Sequence, residues 1–255
     1  MTPCPSNTNR AQRLTLVRKD ERLEAWIAWV SKPDLDSLNP ASFLSTTEVA
    51  QADAFRFEQR RESFLLGRLA AKIALSAFLG EPSLPRIEIS PGVFGQPLVD
   101  HPTKSGGEIS LSHSQGFAIA LAFPREHPMA LDVESIDDAR VATVKSELQL
   151  APAEQAWISS SGIDPRAAHI LLWTAREALS KVLKCGLTCP FEIFRMDELR
   201  SAGIGTWESH YQNFHQYKCL SWVGARRVLS IALPRATEVL SVGGIGGELG
   251  MENGE

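Results

Sequence analysis

The sequence PRAAHILLWTAREALSKVLK, residues 165–184, predicts a long amphipathic helix. Asp164 stands directly before it and is a favoured N-cap residue, and Gly186 predicts its end. Within the helix, steps of four residues place Trp173, Glu177 and Lys181 on one stripe. This stripe is the starting point for both the fold and the chemistry of the chain.

A second helix with the same layout is predicted at residues 60–79. Phe64–Gly67 lies 106 residues before Ile170–Trp173, and Gly80 lies at the same offset before Gly186. Strand candidates follow both helices. A single offset indicates a duplicated unit, so we predict an α+β fold, a pseudo-dimer of two similar α/β halves. The alternative is that two unrelated amphipathic helices share a Leu-Leu pair and a terminal glycine.

The duplication divides the chain into four predicted segments. Residues 1–13 form a disordered N-terminus, 14–127 the N-terminal half, 128–240 the C-terminal half with the acidic motifs, and 241–255 a disordered glycine-rich tail. Short helices are predicted after Ser45, by capping-box spacing, and at Pro152. Strands are predicted at 21–30, 86–89, 108–112, 117–123, 129–134, 191–196, 217–223 and 227–233.

Composition excludes several classes of protein. The net charge of −4 over 255 residues lacks the basic footprint of a nucleic-acid binder. Residues 1–13 lack the apolar core of a signal peptide, and the longest apolar run, 117–123, is too short to cross a bilayer. The four cysteines are expected to be free thiols in a reducing compartment. We therefore expect a cytoplasmic protein without nucleic-acid or membrane partners, and a monomer, since a duplicated unit has less need of a partner subunit.

Two acidic motifs suggest a metal site. Asp132 and Glu134 alternate along the predicted strand 129–134, so both carboxylates share one face. Together with Glu177 they would suit Mg²⁺ or Mn²⁺, and Lys181 would suit a phosphate. Spacing alone also fits a solvated strand face and an ordinary helix ion pair.

Two further stretches suggest an anion site. On the predicted strand 108–112 and its extension, Leu111 and His113 share a face and Ser112 points the other way. A histidine at a strand end could meet a phosphate, although a lone histidine is more often structural. The helix 60–79 adds a local basic cluster, which is equally consistent with a solvated helix face. That cluster comprises Arg56, Arg60, Arg61, Arg68 and Lys72.

In this order, the motifs resemble those of the 4'-phosphopantetheinyl transferases of the surfactin-synthetase-activator (Sfp) type. The resemblance covers about residues 21–233, and the five motifs are in register. They are Arg61–Arg68, Gly95–Pro97, Leu111–Ser114, Ala130–Glu134 and Trp173–Lys181, the last followed by Gly186-Leu187.

The resemblance implies a fold and a reaction. The family fold is a pseudo-dimer of two α+β halves that binds coenzyme A and Mg²⁺ in the cleft between them. The enzyme transfers the phosphopantetheine arm to a serine of an acyl or peptidyl carrier protein and releases 3',5'-ADP. By this resemblance Asp132, Glu134 and Glu177 would ligate Mg²⁺. Glu177, or a water held by the metal, would take the serine proton, and Lys181 would hold a pyrophosphate oxygen.

The resemblance also implies the coenzyme A contacts. Ser112 and His113 would contact its phosphates, with Arg61 a candidate for the 3'-phosphate and Arg68 a weaker one.

Three residues depart from the family pattern. Gln96 replaces a lysine, Ala130 replaces a glycine, and Arg176 replaces the lysine before Glu177. These departures motivate an alternative, a non-catalytic protein of the same fold that binds coenzyme A or a carrier protein. A metal-dependent phosphoesterase of another fold would explain the carboxylates but neither the Ser-His-Ser segment nor the duplication.

Overall fold

The chain divides into two units at Pro128 in a computed structural model that describes residues 11–101, 103–104 and 106–240. The division falls next to the predicted boundary at 127/128. Residues 1–10 and the tail 241–255, both predicted to be disordered, lie outside the described residues. Ala11–Arg13 were also expected in the disordered N-terminus; they instead begin the first strand.

The first unit contains six strands and three helices before Pro128. In chain order they are β1 (Ala11–Arg18), β2 (Glu21–Ser31), α1 (Lys32–Asp36), α2 (Thr46–Asp53), α3 (Glu58–Leu79), β3 (Glu88–Pro91), β4 (Pro97–Asp100), β5 (Gly107–Ser114) and β6 (Phe117–Pro124). Antiparallel pairing gives the order β1-β2-β6-β5, and β3 and β4 form a separate hairpin.

The long helix α3 covers one face of the first sheet. Its predicted C-cap, Gly80, has a φ of 61°, the left-handed conformation that glycine adopts without steric cost. On the sheet side, Ala118, Ala120 and Ala122 alternate along β6 and join the core beneath α3. Small side chains on this face allow the helix backbone to approach the sheet.

The second unit, Met129–Thr237, contains five strands and three helices. They are β7 (Ala130–Ser135), α4 (Asp138–Glu147), α5 (Pro152–Ser160), α6 (Pro165–Val182), β8 (Met196–Gly203), β9 (Thr206–Tyr211), β10 (Tyr217–Val223) and β11 (Arg227–Pro234). The sheet order is β7-β11-β10-β9-β8. The chain then returns to the first unit, where β12 (Glu238–Val239) pairs with β1.

Helix α6 begins where the sequence predicts and ends earlier. The Asp164 side chain accepts a hydrogen bond from the Arg166 N–H at 2.8 Å, which satisfies one free donor of the first turn. The helix ends at Val182 because Lys184 already has a φ of 54°, so Gly186 lies beyond the end. The strand predicted at 191–196 is also wrong: Phe191–Phe194 forms a 3₁₀ turn, and the strand begins at Met196.

Apart from β1 and β12, the two units share one order of elements, which agrees with the confirmed α+β class. In each, a strand precedes the long helix, and that strand pairs with the last strand of the unit: β2 with β6, and β7 with β11. The penultimate strand, β5 or β10, lies beside the last. Among the described residues, no helix is long and apolar enough to cross a membrane.

Candidate active site

The acidic residues of the second unit lie where β7 meets α6. Asp132 pairs with Ser230 and Glu134 with Val228 in the register with β11. Ala130, on the same face by alternation, is buried in the core that α6 covers. Asp132 and Glu134 therefore face the side of the sheet on which α6 packs.

Lys181 connects the helix to the strand. Its Nζ donates to Asp132 Oδ1 at 2.7 Å and to the Leu131 carbonyl oxygen at 3.2 Å. Asp132 is 4% exposed, so this pair is protected from solvent screening on its carboxylate side. The last turn of α6 thus places an ammonium group beside the first of the predicted metal ligands.

Glu177, on α6, lies in an environment that disfavours an ionised carboxylate. Burial raises its pKa to about 7, and repulsion from Asp132 and Glu134 acts in the same direction, against the attraction of Lys181 and Arg140. Its Oε1 is buried and accepts no hydrogen bond from any described residue. An orphaned carboxylate oxygen of this kind is a candidate ligand atom.

Arg140, on α4, is a neighbour that the sequence did not single out. It forms an ion pair with Glu134, and its guanidinium carbon lies 4.9 Å from the centre of the Trp173 ring. Asp137 caps α4 by accepting a hydrogen bond from the Arg140 N–H at 2.9 Å, which fixes the start of this helix. Sequence spacing gives no sign of this contact, because α4 and α6 meet only through the fold.

The donor set fits a hard divalent cation. Asp132, Glu134 and Glu177 supply only carboxylate oxygens, the ligands that Mg²⁺ and Mn²⁺ prefer. Over the described residues, no three histidine, cysteine, aspartate or glutamate side chains already converge as a metal group. Two of the three carboxylates form ion pairs instead: Asp132 with Lys181 and Glu134 with Arg140.

A cavity of about 550 Å³ opens in the first unit. Its wall contains three basic side chains, Arg60, Arg68 and His113, and two aromatic rings, Phe55 and Phe64, whose centres are 5.3 Å apart. Basic groups beside aromatic faces suit a ligand that carries both phosphates and an aromatic ring.

Only some of the residues predicted to bind anions line this cavity. Ser112 is buried on the opposite face of β5 and is not part of the wall, as strand alternation predicts. Arg61 is also absent from the wall; it lies 3.9 Å from Asp53 and 3.7 Å from Glu58. Arg60 lines the cavity in its place, one residue earlier in α3 and therefore rotated by about 100°.

The three departures from the family pattern have local explanations. The Gln96 side chain folds back onto its own turn and accepts a hydrogen bond from the Phe94 N–H at 2.9 Å. The Ala130 methyl group packs into the core of the second unit. Arg176 is fully buried and binds both oxygens of Glu154, at 2.6 and 2.7 Å.

Cys185, Cys189 and Cys219 are free thiols, and Cys4 lies outside the described residues.

Comparisons with known proteins agree with this picture. Residues 128–232 match the family model of the 4'-phosphopantetheinyl transferase superfamily. A holo-(acyl-carrier-protein) synthase from Bacillus anthracis str. Ames, in complex with CoA (3',5'-ADP), is 24% identical, with a TM-score of 0.36, over 43% of this chain and 96% of that one. Thermotoga maritima holo-[acyl-carrier-protein] synthase is 21% identical, with a TM-score of 0.32, over 52% and 74%. No curated protein sequence matches the chain.

Both TM-scores lie below 0.5, so the assignment rests on the sequence match rather than on these structures. The matched segment contains Asp132, Glu134, Glu177 and Lys181, the residues that meet on β7 and α6. The comparisons therefore establish a similarity of residues 128–232 to the 4'-phosphopantetheinyl transferase superfamily.

Proposed function

We propose that this chain transfers the 4'-phosphopantetheine arm of coenzyme A to a serine of an acyl or peptidyl carrier protein and releases 3',5'-ADP. The observation that carries the proposal is the meeting of Asp132, Glu177 and Lys181 within the segment that matches the superfamily. The alternative, a non-catalytic binding protein, rested on Gln96, Ala130 and Arg176, and each of these has a structural explanation outside the acidic site.

We propose Mg²⁺ as the cofactor, with Asp132, Glu134 and Glu177 as its ligands. When bound, the metal would neutralise charge on the phosphate groups that react. Lys181 would hold a phosphate oxygen as a point charge, since its ammonium already binds a carboxylate oxygen at the same place.

Glu177 would accept the proton of the carrier serine. In the metal-free chain its pKa is raised to about 7, so this carboxylate holds a proton more strongly than an ordinary glutamate does. The serine Oγ would form a bond to the transferred phosphorus. The pyrophosphate P–O bond of coenzyme A would break, which releases 3',5'-ADP. Positioning and electrostatic stabilisation would supply most of the rate, as in other phosphoryl transfers.

The cavity of the first unit would hold anionic and aromatic parts of coenzyme A. Arg60, Arg68 and His113 supply donors for phosphate oxygens, and Phe55 and Phe64 supply apolar faces. Arg61 and Ser112 keep their predicted phosphate contacts only as hypotheses. We further propose that the enzyme acts in the cytoplasm as a monomer.

A mass-shift assay tests the proposal. Apo carrier protein, coenzyme A and Mg²⁺ are incubated with the chain, and intact-protein mass spectrometry follows the carrier. We expect the carrier to gain the mass of the arm, and D132N or E177Q to abolish the gain. D197N, which removes an exposed aspartate in the same unit, is the matched control and should retain it. A folded chain that modifies no acyl or peptidyl carrier would contradict the proposal.

A further inference from the structure

A buried ion cluster supports one wall of the cavity in the first unit. Glu48, on α2, is 1% exposed and forms an ion pair with the fully buried Lys72 of α3. Its Oε1 lies 3.3 Å from Arg68 Nε and accepts a hydrogen bond from the Ile89 N–H at 3.2 Å. The Ser45 N–H donates to Oε2 at 2.9 Å. The carboxylate is thus held by contacts with α3, with β3 and with the start of its own helix.

Arg68 extends from this cluster to the cavity. Its Nη2 donates to the Ile89 carbonyl oxygen at 3.1 Å, and its guanidinium carbon lies 4.7 Å from the centre of the Phe64 ring. Both Arg68 and Phe64 line the cavity. A flexible arginine side chain is thus held at three points, which reduces the entropy that it loses when it binds an anion.

The second unit contains a counterpart of this ion cluster. Glu154 is also the third residue of a short helix, and it accepts hydrogen bonds from the Ala151 N–H at 2.8 Å and the Met196 N–H at 3.3 Å. Its partner from the long helix is Arg176, and both side chains are fully buried. One carboxylate therefore balances one cation in the second unit.

In the first unit the equivalent carboxylate, that of Glu48, contacts two cations. Glu48 serves both Lys72 and Arg68, and Glu88 adds only a weaker attraction to Lys72. The cluster consequently presents positive charge at the cavity wall through Arg68. If the cluster served packing alone, one cation would be enough to balance the buried carboxylate.

We propose that Glu48 is a positioning residue that, with Lys72, holds the Arg68 guanidinium in place for a phosphate group of coenzyme A. This inference rests on the proposed function. Glu48 itself would not touch the substrate, and its effect on binding would pass through Arg68 alone.

Calorimetric titration of the full chain with coenzyme A tests this inference. We expect R68Q to weaken binding about 10-fold, because a charged donor to a phosphate is lost. The double variant E48Q/K72M removes the clamp and leaves Arg68 as the one charged member of the cluster, at the cavity wall, and it should weaken binding about 5-fold. The triple variant E48Q/K72M/R68Q should bind no more weakly than R68Q, since the clamp acts only through Arg68.

The counterpart pair supplies the matched control. E154Q/R176M removes a buried ion pair of the same kind and should leave the dissociation constant within 2-fold. Unchanged binding by E48Q/K72M, or a triple variant whose losses add, would overturn the inference. Failure of the unmodified chain to bind coenzyme A would instead overturn the proposed function, and the inference with it.

A second variant covers the case in which E48Q/K72M does not fold. E48D keeps the charge and withdraws the carboxylate by one methylene group, so Arg68 loses its fixed partner position. We expect binding about 3-fold weaker than that of the unmodified chain. An unchanged dissociation constant for E48D would overturn the role of Glu48.

Discussion

Each unit contains a buried glutamate at an equivalent position, but the cations that bind it differ between the units. Glu48 and Glu154 occupy the same position in short helices, and each also binds the backbone N–H of a strand that follows the long helix. In the second unit the cation is fully buried Arg176, whereas in the first unit Arg68 is 13% exposed and lines a cavity. The equivalent buried glutamate thus holds a buried cation in one unit and a cation that lines a cavity in the other.

The two long helices also differ, at the position that carries the Glu177 carboxylate in α6. At the offset of 106 residues, Ala71 of α3 matches Glu177 of α6. Ala71 is buried in the core of its unit, whereas Glu177 is a carboxylate held with a raised pKa beside Asp132 and Lys181. In the proposed function, the first unit would hold anions and the second would contain the acidic, reacting site.

The largest expected effect is the loss of stability when each buried glutamate loses its arginine partner. R176M should lower the free energy of unfolding by about 3–5 kcal/mol, because it leaves the Glu154 charge buried without its ion-pair partner. R68M should cost less than about 2 kcal/mol, because Glu48 keeps Lys72. Urea denaturation of both variants measures this difference, and a larger loss for R68M than for R176M would contradict the comparison.

A smaller effect tests how far ionisation of Glu177 lowers the stability of the folded chain. Its pKa is about 7 in the folded chain and about 4.5 when unfolded, so ionisation opposes folding as pH rises from 4.5 past 7. E177Q removes this cost and should stabilise the metal-free protein by about 1–2 kcal/mol at pH 8, with little change at pH 4.5.

Denaturation in the presence of a chelator measures the E177Q effect at both pH values. A71Q, which places the same side chain at the matching position of α3, should instead destabilise the protein, because it overpacks a core. If E177Q were less stable than the unmodified chain at pH 8, the assignment of a strained carboxylate would be wrong.

The smallest predicted effect concerns Arg140. Its guanidinium competes with a metal for Glu134, so R140Q should tighten Mn²⁺ binding about 3–5-fold, equivalent to about 1 kcal/mol. Titration followed by the electron paramagnetic resonance of free Mn²⁺ measures the affinity. R166Q, a change at an exposed arginine of α6, should leave it unchanged, and weaker binding by R140Q would show that Arg140 assists rather than competes.

Much of the fold could be predicted because strong local patterns agree with the tertiary packing. Gly80 and Asp164 mark helix ends whose conformations the structure reproduces, and the strand at residues 117–123 corresponds to β6. The segment Phe191–Phe194 was wrongly predicted as a strand, because its aromatic residues contact Trp173 and Phe214 from a 3₁₀ turn. Polar strands such as β8 lack the alternation that a sequence pattern needs.

The acidic site was predicted better than the cavity. Asp132, Glu134, Glu177 and Lys181 follow from strand and helix periods plus the family resemblance. Burial of Glu48 cannot be read from its capping-box spacing, which is equally common at exposed helix ends. The choice between Arg60 and Arg61 depends on the rotation of α3 about its axis, which sequence alone sets only to within a residue.

Single-turnover transfer to a carrier protein tests the division of labour between the units most directly. With increasing coenzyme A, R68Q should approach the rate of the unmodified chain, because it loses binding that is equal in the ground and transition states. E177Q should stay at least about 1000-fold slower at every concentration, because it loses the proton acceptor. An E177Q variant that reaches the unmodified rate at saturation, or an R68Q variant that never approaches it, would contradict the account.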